Sequence, residues 1–253
     1  MGLNKGQIYE KNVFDELKKN DKIAENITKP NQIKGQDITI FNRHGESGVE
    51  LKSTITSAFG SGTLKFDFSN KSKPWGLLKK TSEEVVDDSD DSIDIMSYIA
   101  EKYNLIDKVN QKWYTDNGNY YPLYLEEDNS SPIKKITSIP RSRRGKRDFE
   151  VLHEFKITCK KTDIEEYYTN KGSYYIQIKN KGLYWLGNKD PLQISSMISR
   201  FNPSKSFIRV RVQDKGGGKY NFSYGLYISN LASSKLDLDS NTDASWLGYS
   251  GNP

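Results

Sequence analysis

Residues 37–52 read DITIFNRHGESGVELK, and the arrangement of the remaining chain follows from how this stretch folds. Ile38 and Ile40 alternate with Asp37 and Thr39, and Val49 and Leu51 alternate with Glu50 and Lys52. That is the period-2 pattern of two half-buried strands. Asn42-Arg43-His44-Gly45 between them supplies turn residues, so the spacing predicts a hairpin in which Asp37 faces Glu50, within a residue of register. Two carboxylates would then be neighbours, with the ammonium of Lys52 on the same face. Opposed like charges weaken a hairpin unless something offsets them, and a divalent cation with oxygen ligands does so. Such a set can bind Mg²⁺, hold a water and stabilise charge on a phosphate. The plainer alternative is a Glu and a Lys making a weak ion pair on a solvated strand.

The N-terminal segment 6–20, GQIYEKNVFDELKKN, predicts a helix with Val13, Phe14 and Leu17 as its apolar stripe. Glu10 falls on that stripe. A carboxylate aimed toward a core is costly without a partner. A metal site beneath the helix would supply one, and a Glu at the edge of the core is the other reading.

Glu10, then Asp37 led in by Gly35-Gln36, then Glu50-Leu51-Lys52 resembles the pattern of the PD-(D/E)XK nucleases; the Pro of the family's name is replaced by Gln36. The resemblance covers residues 1 to 70. It implies an α/β fold with a mixed sheet flanked by helices, Mg²⁺ held by Asp37 and Glu50, a water oriented or deprotonated by Lys52, and help from Glu10. It further implies cleavage of double-stranded DNA, most like a type II restriction enzyme acting as monomer or homodimer. A companion DNA methyltransferase would belong to the same system without being bound. The later stretch YYIQIKNKGLYWLG and the RVRV segment are similar to the C-termini of some type II restriction endonucleases, though no catalytic residue lies there.

Composition indicates a soluble folded protein with a modest bias toward a polyanion, too weak alone to name one. The 253 residues carry a net charge of +5, 16 Tyr and 4 Trp, with a mean hydropathy of −0.78 and pI near 8.9. No run of eighteen apolar residues occurs and the first residues, MGLNKGQIYE, have no apolar signal region, so a cytoplasmic protein without a membrane is expected. One Cys and two His leave disulfides and zinc poorly provided for and favour a hard cation.

Beyond the hairpin, Leu64, Phe66 and Phe68 read as a strand. Gly60-Ser61-Gly62 before it reads as a loop open to close backbone approach, by a phosphate or simply as a hairpin turn, with Thr63 and Lys65 as phosphate contacts. An acidic run in 71–92 reads as solvated, and 93–103 as a helix capped by Ser92. Arg141, Arg143, Arg144, Lys146 and Arg147 form the strongest basic cluster, suited to phosphate backbones or to a solubilising loop. Further strands are expected over 151–159, over 172–186 as a pair, and over 207–213 with 220–228, with a helix over 163–170. Arg209 and Arg211 leave one face of their strand, beside a glycine-rich tip with Lys215 and Lys219. This predicts either a ribbon that reads bases in a DNA groove or a plain sheet with a charged face. Ser233 to Pro253 reads as a loose polar tail apart from Trp246 and Leu247. The resulting division is a catalytic core over 1–150, with a helical and basic-loop insertion, and a β-rich recognition portion over 151–253 or continuous with the core. Two other functions fit the sequence: a structure-specific repair or recombination nuclease, and a non-catalytic nucleic-acid-binding protein.

Overall fold

The computed structural model describes residues 3–19, 37–66, 70, 72–73, 75–77, 95–112, 154–216 and 219–239. It is mixed α/β, with two five-stranded sheets and, among the described residues, four helices. Two compact units are interleaved along the chain. The first takes residues 1–59, 160–206 and 227–253, and the second takes 60–159 and 207–226. Residues on both sides of position 150 thus enter each unit.

In the first unit, α1 spans Lys5–Lys19. Its start is fixed by Asn4, whose side chain accepts from the Gln7 N–H at 3.0 Å while Gln7 returns a bond to the Asn4 N–H at 2.9 Å. This reciprocal cap satisfies donors that the first turn leaves open. Strands β1 (Ile38–Asn42) and β2 (Gly45–Lys52) form the expected antiparallel hairpin around Arg43-His44. Helix α4 (Lys161–Thr169) leads into β6 (Ser173–Ile178), which pairs parallel to β2; β7 (Gly182–Trp185) and β8 (Ser199–Arg200) complete the order β1-β2-β6-β7-β8. A parallel pair needs a long crossover, and this one contains residues 60–159 of the second unit as well as α4.

Val49, Leu51, Ile38 and Ile40 pack under Tyr9, Val13 and Leu17 of α1. Phe14, expected in that stripe, is only half-buried, and Tyr9 takes the place beside Val13. The opposite face carries Ile176, Tyr184 and Tyr168 of α4, with Phe59 and Phe201 in tilted or edge contact with these rings. Burial of both faces leaves β2 and β6 almost wholly enclosed.

Residues 233–239 correct the expectation of a loose polar tail, while Trp246 and Leu247 lie outside the described residues. The Leu183 N–H donates to the Leu236 carbonyl at 2.7 Å and the Ser234 N–H to the Lys181 carbonyl at 2.7 Å, while Leu238 enters the core. Apolar residues at 236 and 238 suffice to seat the segment. Buried Gln177 fastens it, donating to Asp237 and to the Tyr9 hydroxyl (3.2 Å) and accepting from the Leu238 N–H (3.2 Å).

In the second unit the sheet order is β4-β3-β10-β9-β5, with β3 at Gly60–Phe66, β4 at Trp75–Leu77, β5 at Phe155–Cys159, β9 at Lys205–Gly216 and β10 at Lys219–Ser229. Helices α2 (Ile95–Lys102) and α3 (Leu105–Lys112) belong to it; α2 lies within the range expected from sequence. Asn110 of α3 accepts from the Trp75 N–H and donates to the Trp75 carbonyl, tying the helix to β4 through both backbone groups.

Two expectations change here. Gly60-Ser61-Gly62 is not a loop: it is the first half of β3, and Gly62 stands opposite Tyr224. A Cβ on Gly62 would come within 2.3 Å of the Tyr224 ring, so the close approach is an aromatic side chain of the neighbouring strand. Strands β9 and β10 are also longer than expected, running to Gly216 and from Lys219, and of the two arrangements expected for them, ribbon or plain sheet, they lie in a five-stranded sheet.

Candidate active site

The hairpin register pairs Ile38 with Val49, so Asp37, one residue before β1, stands at the position facing Glu50. A register shift in the β2–β6 pairing falls between Gly48 and Val49, immediately before this pair. Such irregularities re-aim side chains. Because Val49 and Leu51 face α1, Glu50 and Lys52 face α4, and Glu50 is only 1 % exposed.

A carboxylate that deep requires compensation. Lys52 lies 3.4 Å from Glu50 Oε2. A second ammonium, that of Lys171, donates to Glu50 Oε1 at 2.5 Å. Lys171 sits in the turn after α4, just ahead of β6, and each lysine side chain is 18 % exposed. Both rest against the ring of Tyr168, at 5.5 and 5.6 Å from its centroid, and Lys171 is also 5.7 Å from Tyr167. The Tyr168 hydroxyl is fixed by donation to the Phe59 carbonyl at 2.5 Å.

Asp37 Oδ2 accepts from the Leu51 N–H at 2.7 Å. Burial, followed by the charge of Glu50, pushes its carboxyl up to about 7 against the opposing pull of Lys52. Glu10 belongs to the same electrostatic cluster. Burial raises its pKa, Lys52 and Lys171 pull it back, and Glu50 adds to the rise. Burial would lower the Lys52 pKa, but the oxygens of Tyr168, Glu50 and Asp37 outweigh it and hold the ammonium well above the ordinary lysine value. Lys52 is therefore a charged donor at neutral pH, not a ready base.

Three carboxylates and two ammoniums make the cluster anionic when all are ionised. Among the described residues, no three His, Cys, Asp or Glu side chains converge into a protein-only metal cage. The donor chemistry nevertheless suits Mg²⁺, which commonly takes one or two carboxylates and completes its shell with water and substrate phosphate. Asp37 and Glu50 are two carboxylates of that chemistry, opposed across the hairpin.

The proposed DNA contacts are placed unevenly. Arg141, Arg143, Arg144, Lys146 and Arg147 lie outside the described residues. Lys65 belongs to β3, Lys215 to the end of β9 and Lys219 to the start of β10. Arg209 is partly buried and forks onto Glu154, with its Nε 2.5 Å from Glu154 Oε2; Lys156 lies 3.5 Å from the other oxygen. Its bidentate donors are thus committed within the chain. Arg211, two residues on, is also partly buried.

Lys171 is the site residue that sequence reasoning missed. Nothing local marks it: it lies 121 positions from Glu50, in the short turn Asn170-Lys171-Gly172. The one available signal was topological, since a strand parallel to β2 delivers the residue preceding it to the same end of the sheet. No helix among the described residues is long and apolar enough to cross a membrane. Searches of protein-family models, curated proteins and solved structures found no match to the chain.

Proposed function

We propose that the first unit is the catalytic core of a Mg²⁺-dependent double-strand DNA endonuclease of the PD-(D/E)XK kind, acting on phosphodiesters in the manner of a type II restriction enzyme. The observation that carries this reading is the opposition of Asp37 and Glu50 across the β1–β2 hairpin with Lys52 beside them. The β2–β6 parallel pair reached through α4 adds a mixed sheet of the expected kind.

Asp37 and Glu50 would hold the cation, and Glu10 would orient waters at its edge. A bound Mg²⁺ would polarise a phosphate oxygen and make its water a better nucleophile. Lys52, kept charged by its neighbours, donates to that water or to the phosphate and stabilises the negative charge that grows on the phosphorus oxygens. The aromatic wall of Tyr168 keeps bulk water from its stem, which strengthens every charge interaction inside. Sequence-independent affinity would come from Arg141, Arg143, Arg144, Lys146 and Arg147 together with Lys65, Lys215 and Lys219. Base reading by Arg209 requires Glu154 to release it.

A non-catalytic role is favoured by one observation: Glu50 already has an ammonium on each oxygen, which is also what a structural ion cluster looks like. Phage DNA incubated with the protein in Mg²⁺, beside an EDTA control and beside Asp37→Ala, decides between them. Discrete fragments in Mg²⁺ alone, lost in the variant, are expected. Intact DNA with wild-type protein in Mg²⁺ overturns the nuclease reading, and a smear without discrete bands moves it to a nuclease that recognises DNA structure.

A further inference from the structure

Glu50 holds two cations although one would neutralise it. Lys52 is fixed by its place in β2, opposite Ile178 of β6. Lys171 differs: it stands on the turn Asn170-Lys171-Gly172, where Gly172 takes φ 78°, and only its four-carbon stem joins the ammonium to that turn. Its shorter contact, 2.5 Å, occupies Glu50 Oε1, one of the two oxygens that a divalent cation at this site would use. A cation arriving there removes the partner of Lys171 and places a like charge beside it. The ammonium must then find another anion or a π face, and the rings of Tyr167 and Tyr168 already border it.

We propose that Lys171 is a second phosphate-contacting ammonium of this site: it holds Glu50 while no cation is bound and passes to a non-bridging oxygen of the phosphodiester when a divalent cation takes the carboxylate. The inference rests on the nuclease reading and deepens it. It assigns the site an exchange of ion pairs, Glu50–Lys171 for Glu50–cation and phosphate–Lys171, with no covalent step and no net change in proton count. Two outcomes follow that a purely structural lysine would not produce. Without DNA, Lys171 competes with the cation, so its removal tightens cation binding. With DNA, it supplies one phosphate contact, so its removal weakens duplex binding.

The test uses the full-length chain with Lys171→Met, with Lys171→Gln as a second variant that retains a hydrogen-bond donor toward Glu50, and with Lys171→Arg. Calorimetric titration with Ca²⁺ alone should show about a tenfold tighter cation site in Met and Gln, the effect of removing one unit charge at contact distance from a partly buried carboxylate. Titration of a short random duplex in Ca²⁺ should show about a threefold loss of affinity and a salt slope smaller by about one contact, restored in Lys171→Arg. Ca²⁺ affinity that is unchanged or weaker in both variants overturns the role of Lys171, as does unchanged duplex affinity, while wild-type cutting leaves the nuclease reading in place. A wild-type chain that binds no Ca²⁺ and leaves DNA intact in Mg²⁺ overturns the nuclease reading and this role together.

Discussion

Replacing Asp37 by Asn isolates the electrostatic cost built into the hairpin. Asn retains an oxygen that accepts from the Leu51 N–H, so the 2.7 Å bond survives and only the charge is lost. Burial and the charge of Glu50 raise the folded-state carboxyl from the unfolded value near 3.8 to about 7. A raised acid binds its proton more tightly in the folded chain. The stability it contributes is therefore fully present below about pH 4 and is lost as pH rises through about 7, with a ceiling near 1.4 kcal/mol per pH unit for one proton. Asp37 keeps some contact with water, so screening reduces the realised loss to about 1–2 kcal/mol between pH 5 and pH 8. Urea melts in EDTA at these two pH values measure it. Wild type should be less stable at pH 8 than at pH 5, and Asp37→Asn should remove most of that difference by gaining stability at pH 8. Glu10 and Asp239, both raised by burial, slope in the same direction and remain in the variant, so the difference between the two proteins belongs to Asp37. An Asp37→Asn chain with the wild-type pH slope, or one destabilised equally at both pH values, would refute the reasoning.

Glu50→Gln leaves two lysines, each 18 % exposed, without their anion and should cost about 2 kcal/mol of stability by thermal melting while abolishing Mg²⁺-dependent cleavage; a stabilised variant would show that Glu50 is itself the unpaired charge. Arg209→Ala should lower stability by about 1–2 kcal/mol, and Glu154→Gln should have a similar effect, with the double mutant little worse than either; full additivity in a denaturation cycle would show the pair is not coupled. Gly62→Ala places a Cβ against the Tyr224 ring and should cost about 2–3 kcal/mol, recovered in large part when Tyr224 is also shortened to Ala. A Gly62→Ala chain that melts at the wild-type midpoint would remove that contact.

The hairpin could be read from sequence because two independent periodicities and a short turn fix the same register, and a slip of one residue would have turned Val49 and Leu51 away from α1. Glu10, Asp37, Glu50 and Lys52 follow from that register and from the helical stripe. Lys171 does not, because its position depends on a parallel pairing of two strands, β2 ending at Lys52 and β6 beginning at Ser173, far apart in sequence. Gly60-Ser61-Gly62 misleads for a different reason: small residues resemble a turn when their purpose, room for a ring on the adjacent strand, is invisible locally. Arg209 likewise looked free on its strand because Glu154, its partner, lies 55 positions earlier. The tail failed as a prediction because two leucines among polar residues carry little periodic signal, yet they are enough to fill a groove beside β7.

The neutralising contact of Lys171 reaches Glu50 across 121 positions, and this separation has a kinetic meaning. As the chain is made, the β1–β2 hairpin emerges with Asp37 and Glu50 opposed and only Lys52 beside them. Strand β6 arrives after a hundred further residues of the second unit have been made. Parallel pairing at that distance is slow, because the entropy of closing the loop is lost before any contact rewards it. An insert that has already collapsed offers a shorter effective span than an extended one. Residues 60–159 therefore set the pace at which Lys171, the last charge named in the cluster, is delivered.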